Sequence, residues 1–588
     1  MIAAVAMLAA AALGPPATID GPSAAIVALD GVSLSADGGG AVVYRKLIAG
    51  AAHVFVSLER AGVWAPPVQV DQGVAAGATG ASVAAADGGR VAVAWISGGT
   101  LYAAAQAAGG SAFTGPQPLG AASGQPALGI GISGTAYLAY IAPDTGGSDV
   151  DVARLDRTST SFVALGALTA APAVVAGSPA LTVAADATAV VAWTQAAAAG
   201  VTHVMVRRAS AAGPSPVLDD ATVSSLGGVA GGAADSPQVG VEFDASDAWV
   251  AFRETFGASS RLIVEELLGD ELRPPVAADS LGTSAGAAAL PSLAVGGNGA
   301  GLLAGELAPS GALTVSALGT HAQPYAWTPG ALAAAQTVSA PLATASAGAA
   351  GAVVYSPQAG ALDALPFSDG AAAGAPLALS TAALGPVTSL GGASSDARGD
   401  VAVAYVAGQS IVVQPIVAAL GAPRATGTEL WIGASRPQLS WQAPSGAWGS
   451  LSYAVYLDGR RVATTTATSW QPAAPIADGR HSWSVTAIDS LGRRRDSATR
   501  RLLVDAATPA LRIFLAGRRT AGTTLRFRVS VSAISGVRSV SIAFGDGGRA
   551  AAAIASHAYG AAGAYTITVT ATDRAGVVAS AQEQVHIR

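Results

Sequence analysis

A short apolar run closing on an aromatic residue recurs through the first two thirds of the chain. The clearest copy is Ala189-Val190-Val191-Ala192-Trp193, and its counterparts end at Tyr44, Trp95, Tyr140, Phe252, Tyr355 and Tyr405, with Gly305 standing in the aromatic place of one further copy. The copies are about 45 to 59 residues apart, a period typical of stacked supersecondary units. Before each run comes a segment that alternates or is broadly apolar and ends in a turn, as in Val32-Ser33-Leu34-Ser35-Ala36-Asp37-Gly38 and Leu181-Thr182-Val183-Ala184-Ala185-Asp186. Asp, Asn and Gly accept positive φ, so these turns predict hairpins. A third strand follows, as in His53-Val54-Phe55-Val56 and His203-Val204-Met205-Val206, and then a Pro-containing segment such as Pro66-Pro67-Val68-Gln69-Val70. Proline is confined to sheet edges. Four antiparallel strands with a Pro-marked edge predict a propeller blade.

Eight copies predict eight blades over residues 23–420, with seven as the alternative because the Gly305 copy is weakly patterned. About 50 residues per copy is too few for independent sandwiches of about 100 residues each. The last copy, through Ser410-Ile411-Val412-Val413-Gln414, lacks a clear fourth strand, so residues 25–29 are expected to supply it and close the ring. Residues 2–13 are continuously apolar and precede Gly14-Pro15-Pro16. That length is short of the ~20 residues a bilayer span needs and suits a secretory leader, although no positive segment precedes it. A leader over 1–22, cleaved between Gly14 and Ala25, and an exported protein are expected.

The pattern changes after residue 420. Residues 421–507 carry Pro437-Gln438-Leu439-Ser440-Trp441, Tyr453-Ala454-Val455-Tyr456-Leu457 and His481-Ser482-Trp483-Ser484-Val485-Thr486-Ala487. This Trp-bearing strand, alternating Tyr strand and late Val-Thr-Ala strand resemble a fibronectin type III or related immunoglobulin-like domain, with Trp483 near the place where such domains often carry Tyr. Residues 508–588 hold Phe544-Gly545-Asp546-Gly547, then His557-Ala558-Tyr559, then Gly563-Ala564-Tyr565-Thr566-Ile567-Thr568-Val569. In order and separation these resemble the PKD (polycystic kidney disease) domain signature. The resemblance implies an extracellular sandwich that acts as spacer or interaction module. Ala543 stands where that family often has a large residue, which predicts a lighter core. The fold class expected is therefore all-β: a propeller followed by two β-sandwiches.

Composition narrows the function. Charged residues make up 12% of the chain, against ~25% in an average domain. A net charge of -6 without an extended basic run argues against a nucleic-acid partner. Arg493-Arg494-Arg495 reads as a solvated hairpin turn. With 0 Cys there are no disulfides, thiolate metal sites or cysteine nucleophiles. Beyond the leader no stretch reads as a membrane span.

Candidate chemistry is thin. The histidines at 53, 203, 321, 481, 557 and 586 form no helical metal pair; His53 and His203 open equivalent third strands, and His557 belongs to the PKD-like signature. Asp144, Asp149 and Asp151, in Asp144-Thr145-Gly146-Gly147-Ser148-Asp149-Val150-Asp151, are the best metal candidates, for calcium, but lack EF-hand spacing and a completing Glu, so a polar hairpin is the simpler reading. Asp546 is expected to stabilise its own turn. A sialidase-like hydrolase would need converging arginines with acidic or Tyr groups; Arg45, Arg253, Glu254 and Tyr140 are available, and Ser35-Ala36-Asp37-Gly38-Gly39 only faintly echoes that family's turn motif. No nucleophile elbow or phosphate loop occurs. The expectation is a secreted or cell-surface, non-catalytic scaffold, monomeric and without cofactor. Its propeller would present a site for an extracellular protein or glycan. A carbohydrate-active hydrolase and a purely structural component are the alternatives.

Overall fold

The computed structural model describes residues 11–588, apart from 171–172, 198–199, 244, 280–285, 297–298, 319–326, 329–337, 339–341, 348–349, 369–370, 373, 418–419 and 428. Most of the leader segment, His321 and the turn residue Asn298 lie outside the described residues. The chain forms two compact units, Met1–Ala419 with Gly446–Ser450, and Leu420–Ser445 with Leu451–Arg588. Among the described residues the structure is all-β, and the one helical piece is the 3-10 turn Asp87–Gly89.

The first unit is an eight-bladed propeller. Blade 1 runs from the inner strand Ile26–Leu34 through Gly40–Ile48 and Ala51–Arg60 to an outer edge split into Val63–Trp64 and Val68–Gln69, all antiparallel. Pro66 and Pro67 separate the two edge pieces, as the missing N–H of proline requires. The remaining inner strands are Ala78–Ala86, Ser123–Ile130, Ala180–Val183, Val229–Val241, Ala287–Val295, Leu342–Ala347 and Val387–Ser395. Each packs beside the next, and the eighth returns to the first, so the ring is closed.

Closure uses different residues from those expected. Ala12–Leu13 and Ala17–Asp20 pair with the third strand of blade 8, Ser410–Val417, whereas Ile26–Leu34 is the inner strand of blade 1. Pro15 and Pro16 interrupt the closing strand, and its interrupted pattern hid it. A leader boundary at residue 22 would place this whole closing strand in the removed segment.

The recurring run is the second strand of every blade. Arg90–Ser97 is buried at every position, because each blade is covered on both faces by its neighbours; this produces a continuous apolar run rather than an alternating one. The closing aromatic packs against the preceding blade. Trp193 sits with Tyr137, Ala139 and Val152 of blade 3, Trp95 with Val43, Val54 and Val56 of blade 1, and Tyr44 with Ala402, Ala404 and Ile411 of blade 8. Small Ala and Val side chains let blades approach, and the aromatic fills the widening gap between them. Blade 6 solves the same problem in reverse: a Cβ at Gly305 would lie 2.3 Å from Cδ1 of Leu262 on blade 5. There the neighbouring leucine occupies the aromatic's place, so the weak copy is still a blade.

Scarce arginines tie blades together. Arg90 of blade 2, nearly fully buried, donates from Nε to Gly134 O (2.7 Å) and from Nη2 to Asp156 O (2.7 Å) and Ser159 O (2.8 Å), all on blade 3. Arg208 of blade 4 donates likewise to Ala245 O (2.5 Å) and Leu267 O (3.1 Å) of blade 5.

The second unit holds two sandwiches. In the first, Arg424–Ala425, Leu439–Gln442 and Ser469–Trp470 face a sheet built on Ser452–Leu457, Gly479–Ile488 and Arg500–Val504. Trp441 meets Tyr453 edge-on at 5.4 Å, and Trp483 is buried in the same core. The basic triplet lies at a hairpin, where Arg493 pairs with Asp489 at 2.7 Å. In the second, Ala510–Ala516, Thr524–Ser532 and Ile554–Ala558 face Val537–Ala543, Gly563–Asp573 and Val578–Ile587. Its core of Phe527, Phe544, Tyr559, Ile567 and Val569 does not include Ala543. Ala543 itself sits at the half-buried end of its strand.

Candidate functional site

Two ring faces follow from the strand directions. The upper face carries the turns between second and third strands and the links from one blade to the next; the lower face carries the turns between inner and second strands. On the upper face one device repeats. In four blades the second residue past the outer edge accepts a hydrogen bond from a backbone N–H near the start of the third strand: Asp71 from Val54 (3.1 Å), Thr222 from Val204 (2.9 Å), Asp279 from Leu262 (2.8 Å) and Ser380 from Leu362 (3.0 Å). His53 and His203 belong to these latches, with Nδ1 3.0 Å from Asp71 and 2.7 Å from Asp220. Their equivalence is structural, and each is occupied within its own blade.

The sequence candidates for hydrolysis are not brought together. Arg45 forms a bidentate pair with Asp30 (both contacts 2.9 Å) in blade 1. Arg253 pairs with Asp235 through Nε (2.9 Å) and Nη2 in blade 5. Glu254 is fully buried, accepts from Val223 N (3.0 Å), and is pushed up to about 7 by burial. Tyr140 is packed between blades 2 and 3, and burial, with Asp151 nearby, pushes its hydroxyl up to about 12.

Asp144, Asp149 and Asp151 lie on the blade 3 hairpin formed by Ala136–Asp144 and Gly147–Leu155. Asp149 accepts from Thr169 Oγ1 (2.6 Å) and Asp144 from Thr145 Oγ1 (3.2 Å). Burial, then the charges of Asp149 and Asp144, hold the Asp151 carboxyl above its usual range. Among the described residues no group of three His, Cys, Asp or Glu side chains is arranged to hold a metal ion.

The concave features are on the lower face. A central cavity of about 560 Å³ is lined by all eight blades, mostly through small or aliphatic residues such as Ala36, Ala85, Ile130, Val183, Val241 and Ser346, with Asp87, Glu242 and Asp396 as its carboxylates. Ile132 and Phe243, also in its lining, are 60% and 62% exposed. Beside it a second recess of about 330 Å³ involves the lower turns of blades 1, 2 and 8 and the segment Gly446–Ser450, which belongs to the same unit.

The walls of this recess are glycine turns held by their own aspartates. Asp37 Oδ1 accepts from Ser35 Oγ (2.6 Å) and Gly39 N (3.1 Å), and its Oδ2 from Gly88 N (2.8 Å). Asp396 Oδ1 accepts from the N–H groups of Arg398 and Asp400, both at 2.9 Å. Burial works to raise the Asp37 carboxyl, but these hydrogen bonds outweigh it and hold it below the usual range. Glu59 behaves oppositely. It is 3% exposed; its Oε1 accepts from Gly62 N, while Oε2 is buried with no protein partner. Burial pushes it up to about 7, helped by the charges of Asp37 and Asp396.

Sequence reading missed Glu59, Asp396, Arg398 and Trp448. The paired turns Ser35-Ala36-Asp37-Gly38-Gly39 and Ser395-Asp396-Ala397-Arg398-Gly399 were the available signal. The first and last blades meet only through ring closure, so no local pattern joins them.

In the last sandwich the signature residues form one stack. His557 lies parallel to Phe544 at 4.1 Å, its Nε2 is 2.7 Å from Asp546 Oδ2, and Tyr559 donates to Phe544 O at 3.0 Å. Asp546 also accepts from Gly548 N (3.0 Å), so it stabilises its own turn.

Residues 506–587 match the family model described as PKD domain. The PKD1 domain of the Vibrio cholerae metalloprotease PrtV is 26% identical over 14% of this chain and 98% of its own, with a TM-score of 0.13. The fibronectin(III)-like modules of Clostridium thermocellum CbhA are 18% identical over 29% of this chain and 93% of theirs (TM-score 0.19). The BP39L lectin of Burkholderia pseudomallei is 17% identical over 60% of this chain and 100% of its own (TM-score 0.40). No curated protein sequence matches the chain. Among the described residues no helix is long and apolar enough to cross a membrane.

Proposed function

We propose that the protein is an exported, non-catalytic binding scaffold whose propeller presents a ligand site and whose two sandwiches serve as spacers. The observation that carries this reading is the lower face, where two adjoining recesses are built from turns contributed by several blades. Such turns vary in side chain at little cost to the cores beneath them. The arginine, glutamate and tyrosine that a sialidase-like mechanism would recruit are instead engaged separately in blades 1, 3 and 5. A PKD domain at one end fits a protein that works outside the cell. The test is a glycan array together with capture from cell-surface extracts, using folded full-length protein. Specific retention in either supports the reading, and two blank results remove it.

One observation favours a second reading, a carbohydrate-active hydrolase. Glu59 and Asp37 line one recess with carboxyls displaced in opposite directions, the arrangement that separates an acid from its charged partner in glycoside hydrolysis. Release of reducing ends from a neutral polysaccharide, lost in Glu59→Gln, would establish it.

A further inference from the structure

We infer that the recess of about 330 Å³ on the lower turns of blades 1, 2 and 8 is a seat for one neutral sugar ring, stacked on Trp448 and held through its hydroxyls by Asp37, Glu59 and Asp396. This rests on the binding reading above and names its ligand class. The volume lies within the range of small-molecule sites, about 300 to 1,000 Å³. Three features select the occupant. First, Trp448 is half-buried, with its Nε1 beside Gly62: a Cβ on that glycine would lie 3.4 Å away. An indole bordering a glycine-lined recess offers an apolar surface to the face of a pyranose.

Second, the recess offers acceptors in excess. Its two cations are already committed: Arg398 donates from Nη2 to Asp37 O (2.6 Å) and from Nη1 to Ala447 O (3.4 Å), and Arg60 from Nη2 to Gly110 O (2.8 Å). The three carboxyls retain lone pairs, which suit hydroxyl donors and repel a uronate, sulfate or phosphate. Third, Glu59 Oε2 is buried in the wall without a protein partner. A buried polar atom left unpaired is unfavourable, and a ligand hydroxyl reaching this wall would give it a partner. Burial raises the Glu59 carboxyl to about 7, so its protonated form can also donate to a ligand hydroxyl.

The test titrates full-length protein with cellotetraose, maltotetraose, mannotetraose, tetragalacturonate and tetralysine. Saturable binding of at least one neutral tetrasaccharide is expected, with tetragalacturonate and tetralysine inert. Trp448→Ala should weaken that binding about tenfold or more and Trp448→Phe by less than about threefold, the loss of stacking and apolar contact setting the scale. Each variant is accepted only if its thermal transition matches wild type. Should Trp448→Ala fail that control, hydrogen exchange on the wild type decides: saccharide must protect residues 59–62 and 87–89. Undiminished binding by a folded Trp448→Ala, protection elsewhere, preference for tetralysine, or no binding by any probe overturns the seat. A positive wider array would still uphold the binding reading in each of those cases.

Discussion

The propeller and the PKD-type sandwich use the same strand geometry with opposite burial. In the propeller, Arg90–Ser97 is buried along its whole length between two neighbouring blades. In the last sandwich, Thr524–Ser532 is buried at alternate positions over most of its length, because only one face meets the opposite sheet. A strand covered on both sides must hide whatever side chains it carries, including polar ones. A strand covered on one side can leave them in water. The propeller accumulates several buried acids on its strands, such as Glu59, Glu254 and Glu265, whereas the last sandwich buries Asp573 and keeps Asp546 and His557 at a partly exposed turn as a hydrogen-bonded pair.

The largest test of this contrast is Trp193→Ala. It empties the space between blades 3 and 4, and should lower the stability of the first unit by about 3 to 5 kcal/mol while leaving the transition of the second in place. Calorimetry of the full chain would read both; a shift in both transitions would mean that the units do not unfold separately.

Acidity should separate the units next. Burial holds Glu59, Asp247 and Glu254 at about 7 and Glu265 at about 8. The folded propeller thus keeps protons that the unfolded chain releases, so its stability is fullest below the usual carboxylate values and falls as pH rises from about 4.5 toward 8. In the second unit, burial opposes but hydrogen bonds from His481 and His557 hold Asp458 and Asp546 below their usual value. That contribution is present above about pH 4 and is lost as pH falls through the depressed values. His481 is held above its usual value, chiefly by its hydrogen bond to Asp458, so its share is present below about 6.5 and lost as pH rises through the raised value. Melting between pH 4.5 and 6.5 should therefore lower the first transition and leave the second nearly flat. A parallel fall in both would contradict the contrast.

Smaller effects sharpen it. Tyr559→Phe removes the buried donor to Phe544 O and should cost the second unit about 1 to 3 kcal/mol, read by denaturant titration. Arg253→Ala breaks a pair whose side chains are 37% and 44% exposed, and should cost the propeller no more than about 1 kcal/mol. A larger loss would show that this pair bears on blade packing.

The same contrast explains what the sequence made legible. The second strands were readable as continuous apolar runs because both faces are buried, and the aromatic at the end marked the gap between blades. The PKD-type signature was readable because Phe544, Asp546, His557 and Tyr559 contact one another within a short stretch of chain. Closure by Ala17–Asp20 was not, since proline breaks its pattern and its partner lies almost 400 residues away. The lower-face recess was hidden for the same reason. Asp37 and Asp396 meet through the ring, and Glu59 announces itself only by losing water, which no spacing records.

On the reading proposed above, the lower face of the propeller carries the ligand. Hydrogen exchange of the full chain, with and without a glycan or surface protein recovered by the array or capture, tests it most directly. New protection is expected at the lower turns, residues 35–39, 59–62 and 396–399, with residues 508–588 unchanged. Protection confined to the sandwiches or to the upper turns would contradict it.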